Sequence, residues 1–137
     1  MRNRKLAYLI LPLILSLALL LTACEGPVPE MPAQTWKGIR VEVETRPQKL
    51  GIGMNEFLIV ASRGTGRGIP AHDLIVSLSI NDAGNWEQAI QDGFVGVYRR
   101  AIRVADPAHD VLLVRLEHGD DSGILRFPLN EQKIPAQ

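Results

Sequence analysis

The three histidines are the first candidates for chemistry in this chain, because a metal site needs clustered His, Cys or carboxylate side chains. His72 precedes one predicted strand and His118 begins a predicted hairpin, so both are expected at the same end of the fold, with Asp73 and Asp120 beside them. His109 lies in a connection at the opposite end. The sequence thus offers His72 and His118 as a metal-ligating pair. Since loop histidines exposed to solvent are far more common, we predict no metal and no other cofactor.

Two predicted loops carry charged groups that favour binding. Residues 63–68 are Arg-Gly-Thr-Gly-Arg-Gly, in which backbone amides beside two arginines can hold an anion. Phosphate-binding loops precede a helix, whereas this one joins two strands, so a flexible turn is predicted. Residues 118–123 contain two adjacent aspartates but lack the ligand spacing of a calcium loop, and their composition suits a turn. The candidate partner-binding residues of these loops are Arg63, Arg67, His118, Asp120 and Asp121.

A constellation for nucleophilic catalysis is missing from the sequence, so we expect no enzymatic activity. The Gly-x-Ser-x-Gly context of a nucleophile elbow is absent around Ser62, Ser77, Ser79 and Ser122. The tryptophans, Trp36 and Trp86, are expected to pack in the core or at its rim instead of stacking on carbohydrate.

The composition narrows the classes of protein to consider. The chain has 137 residues, of which 15 are Lys or Arg, 15 are Asp or Glu and 46% are hydrophobic. These values are typical of a single globular domain, and they argue against a disordered chain and against a basic protein that binds nucleic acid. The single cysteine excludes an internal disulfide bond.

Residues 1–23 have the layout of a secretory signal peptide. Three basic residues lie among the first five, and residues 6–21 are apolar apart from one serine and one proline. This stretch is shorter than the ~20 apolar residues that a spanning helix needs, which favours export over a permanent anchor. Its end, Leu21-Thr22-Ala23-Cys24, resembles the bacterial lipobox, and the only cysteine of the chain stands at the required position.

The lipobox resemblance implies that signal peptidase II cuts before Cys24, whose sulfur then carries diacylglycerol and whose amine is acylated. Several acyl chains anchor a protein stably in the lipid bilayer. The alternatives are an ordinary cleaved signal or an uncleaved anchor with an unmodified cysteine. Glu25, and not Asp, follows the cysteine. By analogy with enterobacterial lipoprotein sorting, this residue favours the outer over the inner membrane, with the protein facing the periplasm.

The mature chain divides into a tether and a body. Cleavage leaves 137 − 23 = 114 residues, with 15 − 3 = 12 basic against 15 acidic ones, a formal charge of −3. Such a charge gives no electrostatic reason to bind nucleic acid or an anionic membrane surface. Residues 24–35 contain three prolines and no hydrophobic periodicity, which predicts an extended tether. Residues 36–137 form the predicted folded domain.

The body shows the apolar period of two that is typical of β-strands. The second predicted strand is apolar on both faces, which indicates a central position in a sheet. Residues 81–93 are the one predicted helical segment, a turn or two with Asn85 as N-cap. The predicted strands are 39–44, 56–62, 74–80, 95–104, 111–117 and 124–129, with a hairpin loop at 118–123.

Six to seven short strands in roughly 100 residues predict an all-β fold, an immunoglobulin-like antiparallel β-sandwich. Arg100 interrupts the inward apolar face of the fourth strand, so either a bulge lies there or the arginine reaches the rim of the sandwich, which we favour. Arg99, Arg100 and Arg103 are expected to pair across the sheet with acids such as Glu42 and Glu44.

Three stretches of the body resemble the FixH/YtkA-like periplasmic domains. They are Asn55-Glu-Phe-Leu-Ile-Val60, Gly68-Ile-Pro-Ala71 before the third strand, and Gly96-Val-Tyr98, within about residues 50–129. The resemblance implies an immunoglobulin-like fold. Family members with a metal role carry Met- and His-rich segments after the third strand, where this chain has Asn81-Asp-Ala-Gly-Asn-Trp86. This departure counts against an inherited copper function.

The sequence therefore leads to one expected function and an alternative. We expect a membrane-anchored periplasmic lipoprotein that acts as a non-enzymatic binding or assembly module. Its partner would be another envelope protein, bound through the loops or an open sheet edge. The alternative is a FixH/YtkA-like accessory protein that handles copper or assembles a metal centre, using His72, His118 or Met54. An enzyme or a carbohydrate-binding module is a third class, for which the sequence shows no site.

Overall fold

The structure is a computed structural model that describes residues 31–65 and 68–131. These residues form two antiparallel sheets packed as a sandwich, which confirms the predicted all-β class. No helix in the described ranges is long and apolar enough to cross a membrane. The strands are β1 (Gln34–Trp36), β2 (Ile39–Arg46), β3 (Gly53–Arg63), β4 (Ile69–Pro70), β5 (Ile75–Ile80), β6 (Glu87–Gln88), β7 (Ile90–Gln91), β8 (Val97–Val104), β9 (Val111–His118) and β10 (Asp121–Pro128).

The larger sheet has six strands, in the order β1-β2-β3-β8-β7, with β4 beside the end of β3. Strand β3 is central, since it pairs with β2 on one side and with β8 on the other. Its alternating residues Phe57 and Ile59 face inward and are fully buried, while Leu58 and Val60 lie on the outer face. The prediction of a central strand that is apolar on both faces is confirmed.

The smaller sheet has four strands, in the order β10-β9-β5-β6. Residues of β9 and β5 alternate as predicted, and Leu112, Val114 and Leu116 are completely buried against the larger sheet. The inward residues of the two sheets form one continuous hydrophobic core. Removal of this apolar surface from water stabilises the fold by about 25 cal/mol per Å².

A two-residue loop joins β9 to β10. Asp121 pairs with His118, and the first residue of the loop, Gly119, has a φ of 58°. Glycine at a positive φ in this position is typical of a type II′ turn, whose twist matches that of the strands it connects. The predicted hairpin at this place is confirmed.

Residues 81–93 contain no helix, so the predicted helical segment is wrong. The Asn85 side chain, expected to cap a helix, donates instead to Asp82 Oδ2 at 3.1 Å. The chain then extends: β6 pairs with β5 in the smaller sheet, and β7 pairs with β8 in the larger one. We call residues 87–91 the crossing segment. Pairing with two sheets outweighs local helical preference, which is weak for so short a stretch.

Arg100 lies at the rim of the sandwich beside the crossing segment. Its pairing opposite Phe57 is regular, so no bulge interrupts β8 at this place. Its guanidinium Nη2 lies 2.6 Å from Glu87 Oε2, which belongs to the smaller sheet. The arginine therefore joins the two sheets by an ion pair at their edge, in agreement with the rim position that the sequence favoured.

The described residues of the range predicted as tether pack against the body. Met31 is buried in the core, and β1 pairs with β2. The Gln34 side-chain amide also donates to the carbonyl of Arg126 at 2.5 Å, which connects β1 to the smaller sheet. Residues 31–35, assigned to the tether from their prolines and lack of periodicity, thus contribute to the body.

Trp36 packs directly on the backbone of Gly123. A Cβ atom built at Gly123 would lie 2.1 Å from Trp36 Nε1, far inside van der Waals contact. The φ of Gly123 is outside the left-handed region, so space and not backbone conformation requires glycine here.

Replacing Gly123 by Ala should lower the free energy of unfolding by about 1–3 kcal/mol, because the indole of Trp36 must move. Urea unfolding followed by tryptophan fluorescence measures the change. Gly51→Ala is the matched control, since a Cβ at Gly51 meets no atom within 4 Å. Its effect should stay within about 0.5 kcal/mol. Equal losses in the two variants would contradict the close contact.

Candidate functional site

One end of the sandwich gathers charged side chains from separate segments. Arg63 ends β3, Asp73 lies shortly before β5, and His118 ends β9. Arg63 Nη2 is 2.9 Å from Asp73 Oδ1, and His118 Nε2 is 2.9 Å from Asp73 Oδ2. We call these three residues the end cluster. Asp73 thus brings together two residues that the sequence analysis selected for partner binding.

A buried tyrosine fixes the segment that carries Asp73. The hydroxyl of Tyr98 donates to the carbonyl of Ala71 at 2.8 Å and accepts from the N–H of Leu74 at 3.2 Å. Burial raises the pKa of this hydroxyl, so the phenol stays protonated and remains a donor. Both ends of the segment 71–74 are therefore bonded to one side chain of β8.

The ion pair with Arg63 dominates the electrostatics of the end cluster. The hydrogen bond from Arg63 is the main cause that lowers the pKa of Asp73 below its ordinary value, and the bond to His118 adds a smaller amount. A carboxyl whose folded pKa is lowered stabilises the fold above its unfolded pKa, and this stability is lost as the pH falls through the folded pKa. The effect on stability is small, because Asp73 is half-exposed and solvent screens it.

Replacing Arg63 by Gln should raise the pKa of Asp73 more than replacing His118 by Gln does. The reason is that Arg63 provides the strongest hydrogen bond to the carboxylate and also a permanent charge. Carboxyl carbon NMR titration of the wild type and both variants measures the order of the three midpoints. A larger rise in the His118 variant would contradict the assigned geometry.

The other two histidines have separate environments. The ring of His72 meets the ring of Phe94 edge to face, with the centroids 5.8 Å apart. His109 lies at the opposite end of the sandwich, where its Nδ1 is 2.7 Å from Asp106 Oδ2 and this hydrogen bond raises its pKa. Within 31–65 and 68–131, no three His, Cys, Asp or Glu side chains are placed to hold a metal ion.

The remaining residues selected from the sequence lie around the end cluster or outside the described ranges. Asp121 is bonded to Lys37 of the β1–β2 turn, with Oδ1 and Nζ 2.6 Å apart. Asp120 is exposed at the tip of the hairpin. Arg67 and Cys24 lie outside the described residues. The loop charges that the structure does describe thus pair largely with other charges of the same end.

A groove of about 520 Å³ lies on the outer face of the larger sheet. Ser62, Gly68 and Pro70, next to the end cluster, line one part of it. We call it the outer groove. Its apolar lining comes from β3, β8 and the connection before β8, and its charged lining comes from Glu42, Glu44 and Arg46 of β2 and from Asp92. The lining includes Glu42, Glu44, Leu58, Val60, Val95 and Val97.

Exposed apolar side chains accompany the outer groove. Val95 is 59% exposed, and its neighbour Phe94 is 81% exposed. Ile69, beside Pro70 of the lining, is also exposed. Sequence analysis did not select these residues because none of them belongs to a motif that carries chemistry. The sequence did contain one signal for an apolar outer face. The strand predicted at 56–62 is apolar on both faces, so some of its apolar residues must lie on the outer face of the sheet.

The arginines of β8 pair differently from the prediction. Arg99 Nε is 3.8 Å from Asp92 Oδ2, and Arg100 is bonded to Glu87. The expected pairing with the acids of the first predicted strand is wrong, because β3 lies between β2 and β8. Among the described residues, no carboxylate pairs with Arg103.

The two tryptophans pack against the protein, as expected. Trp36 covers Gly123, and Arg115 places its guanidinium carbon 4.7 Å from the ring centre of Trp86. A guanidinium in this position is held by a cation–π interaction.

The chain was compared with known proteins by family model, by sequence and by structure. No protein-family model, curated protein or solved structure matches the chain. The resemblances to the lipobox and to the FixH/YtkA-like domains therefore rest on short sequence motifs alone. The surfaces of the sandwich carry the remaining evidence on function.

Proposed function

We propose that the protein is a lipid-anchored module of the bacterial cell envelope that binds another envelope protein and catalyses no reaction. One observation carries the binding role: the outer groove has apolar lining residues that include the exposed Val95, and the next residue in the chain, Phe94, is exposed as well. The solvent face of an antiparallel sheet is ordinarily polar. Exposed apolar patches mark interaction sites in soluble domains.

The arrangement of the groove suits recognition of a protein. Its apolar residues Leu58, Val60 and Val97 come from neighbouring strands of a rigid sheet, so a partner meets a preformed surface. Glu42 and Glu44 flank these residues on β2. An apolar centre with a polar rim is the usual anatomy of a protein interface.

The anchor is supported by the resemblance of residues 21–24 to a lipobox and by the signal-like stretch before it. Acylated Cys24 would hold the sandwich at the membrane, facing the periplasm, and Glu25 favours the outer membrane. The lipid thus supplies the attachment, and the sheet surface supplies the specificity.

Intact mass spectrometry of the membrane-extracted protein tests the anchor. We expect the mass of residues 24–137 plus diacylglycerol and an acyl chain, because the lipobox directs modification at Cys24. A Cys24→Ser variant should lose this lipid mass. A wild-type protein that carries no lipid would contradict the anchor.

Photo-crosslinking in intact cells tests the binding surface. A photoreactive amino acid in place of Phe94 should give a covalent adduct with an envelope protein, since Phe94 is exposed and adjoins Val95 of the groove lining in the chain. Ile52 is the matched control: it is 79% exposed, close to the 81% of Phe94, and it precedes β3 at the other end of the sandwich.

The control position distinguishes a specific binding surface from non-specific crosslinking. The Phe94 adduct should be absent from the Ile52 variant. It should weaken several-fold when Val95→Asp adds a charge to the apolar lining of the groove. The same adducts from both positions, or none from Phe94, would contradict the proposed binding surface.

A further inference from the structure

In the described residues, only the first half of β8 has a neighbouring strand on the side of β7. Strand β7 pairs with β8 only opposite Tyr98 and Arg99. The residues of the crossing segment that precede β7 belong to the smaller sheet instead. There the N–H of Ala89 donates to the carbonyl of Val76 at 2.8 Å. In the described part of the chain, the second half of β8 is therefore an edge of the larger sheet.

One hydrogen bond fixes the direction of the backbone groups along this edge. The N–H of Asp92 donates to the carbonyl of Val97 at 2.7 Å, so Val97 directs its backbone groups toward the β7 side. In an antiparallel strand, every second residue points its N–H and C=O to the same side. Ala101 and Arg103 therefore direct theirs to the open edge, and within the described residues neither has a strand partner there.

The side chains beside these backbone groups give the edge a chemical preference. A cleft of about 340 Å³ is lined by Ala101 and by the exposed Ile90, together with Glu56, Arg99 and Arg100. The small side chain of Ala101 leaves room for an apolar residue of an added strand. The exposed guanidinium of Arg103 has no carboxylate partner among the described residues and provides a positive charge two residues further along.

We propose that this edge of β8 receives an extended segment of the partner protein, which adds to the larger sheet as a new strand. The segment places an apolar residue over Ala101 and an acidic residue beside Arg103. The inference rests on the proposed function, because it specifies which part of the partner the module binds. Backbone hydrogen bonds supply affinity in this mode of recognition, and alternate side chains supply specificity.

Charge argues for a partner and against a second copy of this chain. Two copies paired antiparallel through β8 would bring Arg99 and Arg103 of one copy close to the same residues of the other. Like charges on neighbouring positions of paired strands are destabilising. An acidic segment instead gives Arg103 the partner that it lacks within the described fold.

Hydrogen exchange measured by NMR on the full-length protein in detergent micelles tests the proposal. The probe is a short blocked peptide with Val and Glu two residues apart (Val-Thr-Glu-Thr-Val), so that both side chains lie on one face of the added strand, and the matched control is the same peptide with Lys in place of Glu. The Val/Glu peptide should slow exchange of the Ala101 and Arg103 amides at least tenfold. The amide of Ile102, which faces β3, should be unaffected, and the Val/Lys peptide should have no effect.

Variants separate the backbone contribution from the charge contribution. Ala101→Pro removes the outward N–H without removing a ladder bond to β3, a position that proline tolerates on edge strands. It should abolish protection of Arg103, while unchanged exchange of the β9 amides reports an intact fold. Arg103→Glu should reverse the peptide preference toward Lys, and Arg103→Lys should keep it.

Three results would overturn the proposal. They are unchanged exchange at Ala101 and Arg103 with the Val/Glu peptide, an unaltered preference after Arg103→Glu, and protection without peptide that rises with protein concentration. The last result would assign the edge to a second copy. If crosslinking from Phe94 succeeds while the peptide test fails, the edge is refuted and the binding role stands. Failure of the crosslinking refutes the binding role itself.

Discussion

The alternation of side chains along β3, between two strands that pair with it, is the constraint on which the rest of the molecule depends. Its inward residues fill the centre of the core, and its outward residues Leu58 and Val60 line the outer groove. A shift of one residue in its pairing would exchange the two faces. The same strand ends in Arg63, so its register also sets where the end cluster forms.

Surface charge and apolar surface have different roles at the two candidate regions. Arg63, Asp73 and His118 satisfy one another, and exposed ion pairs contribute only about 0–1 kcal/mol to stability. Their main effect is to orient segment 71–74, which is already hydrogen-bonded to the Tyr98 hydroxyl at both ends. The apolar lining of the outer groove has no comparable partner among the described side chains. The sheet face is therefore a stronger candidate for a binding surface than the charged loops.

Sequence reasoning succeeded where a local pattern carries the information. The period of two identifies which residues face the core, and Gly119 in a short polar loop identifies the β9–β10 hairpin. It failed where the outcome depends on which strands become neighbours. The crossing segment extends because each half finds a sheet to pair with, and the β8 arginines bond to Asp92 and Glu87 because β3 separates them from β2. No local pattern reports such neighbours.

The route of the chain between the sheets has a consequence for how the protein folds. Strands β5 and β6 belong to the smaller sheet, β7 and β8 to the larger one, and β9 and β10 to the smaller one again. Pairing of Gly53 with Val104 closes a loop of 104 − 53 = 51 residues. The inward apolar face of the larger sheet is not fully covered until β9 and β10 have joined the smaller sheet. The sandwich should therefore form in a single cooperative step, limited by distant contacts, on the order of milliseconds to seconds.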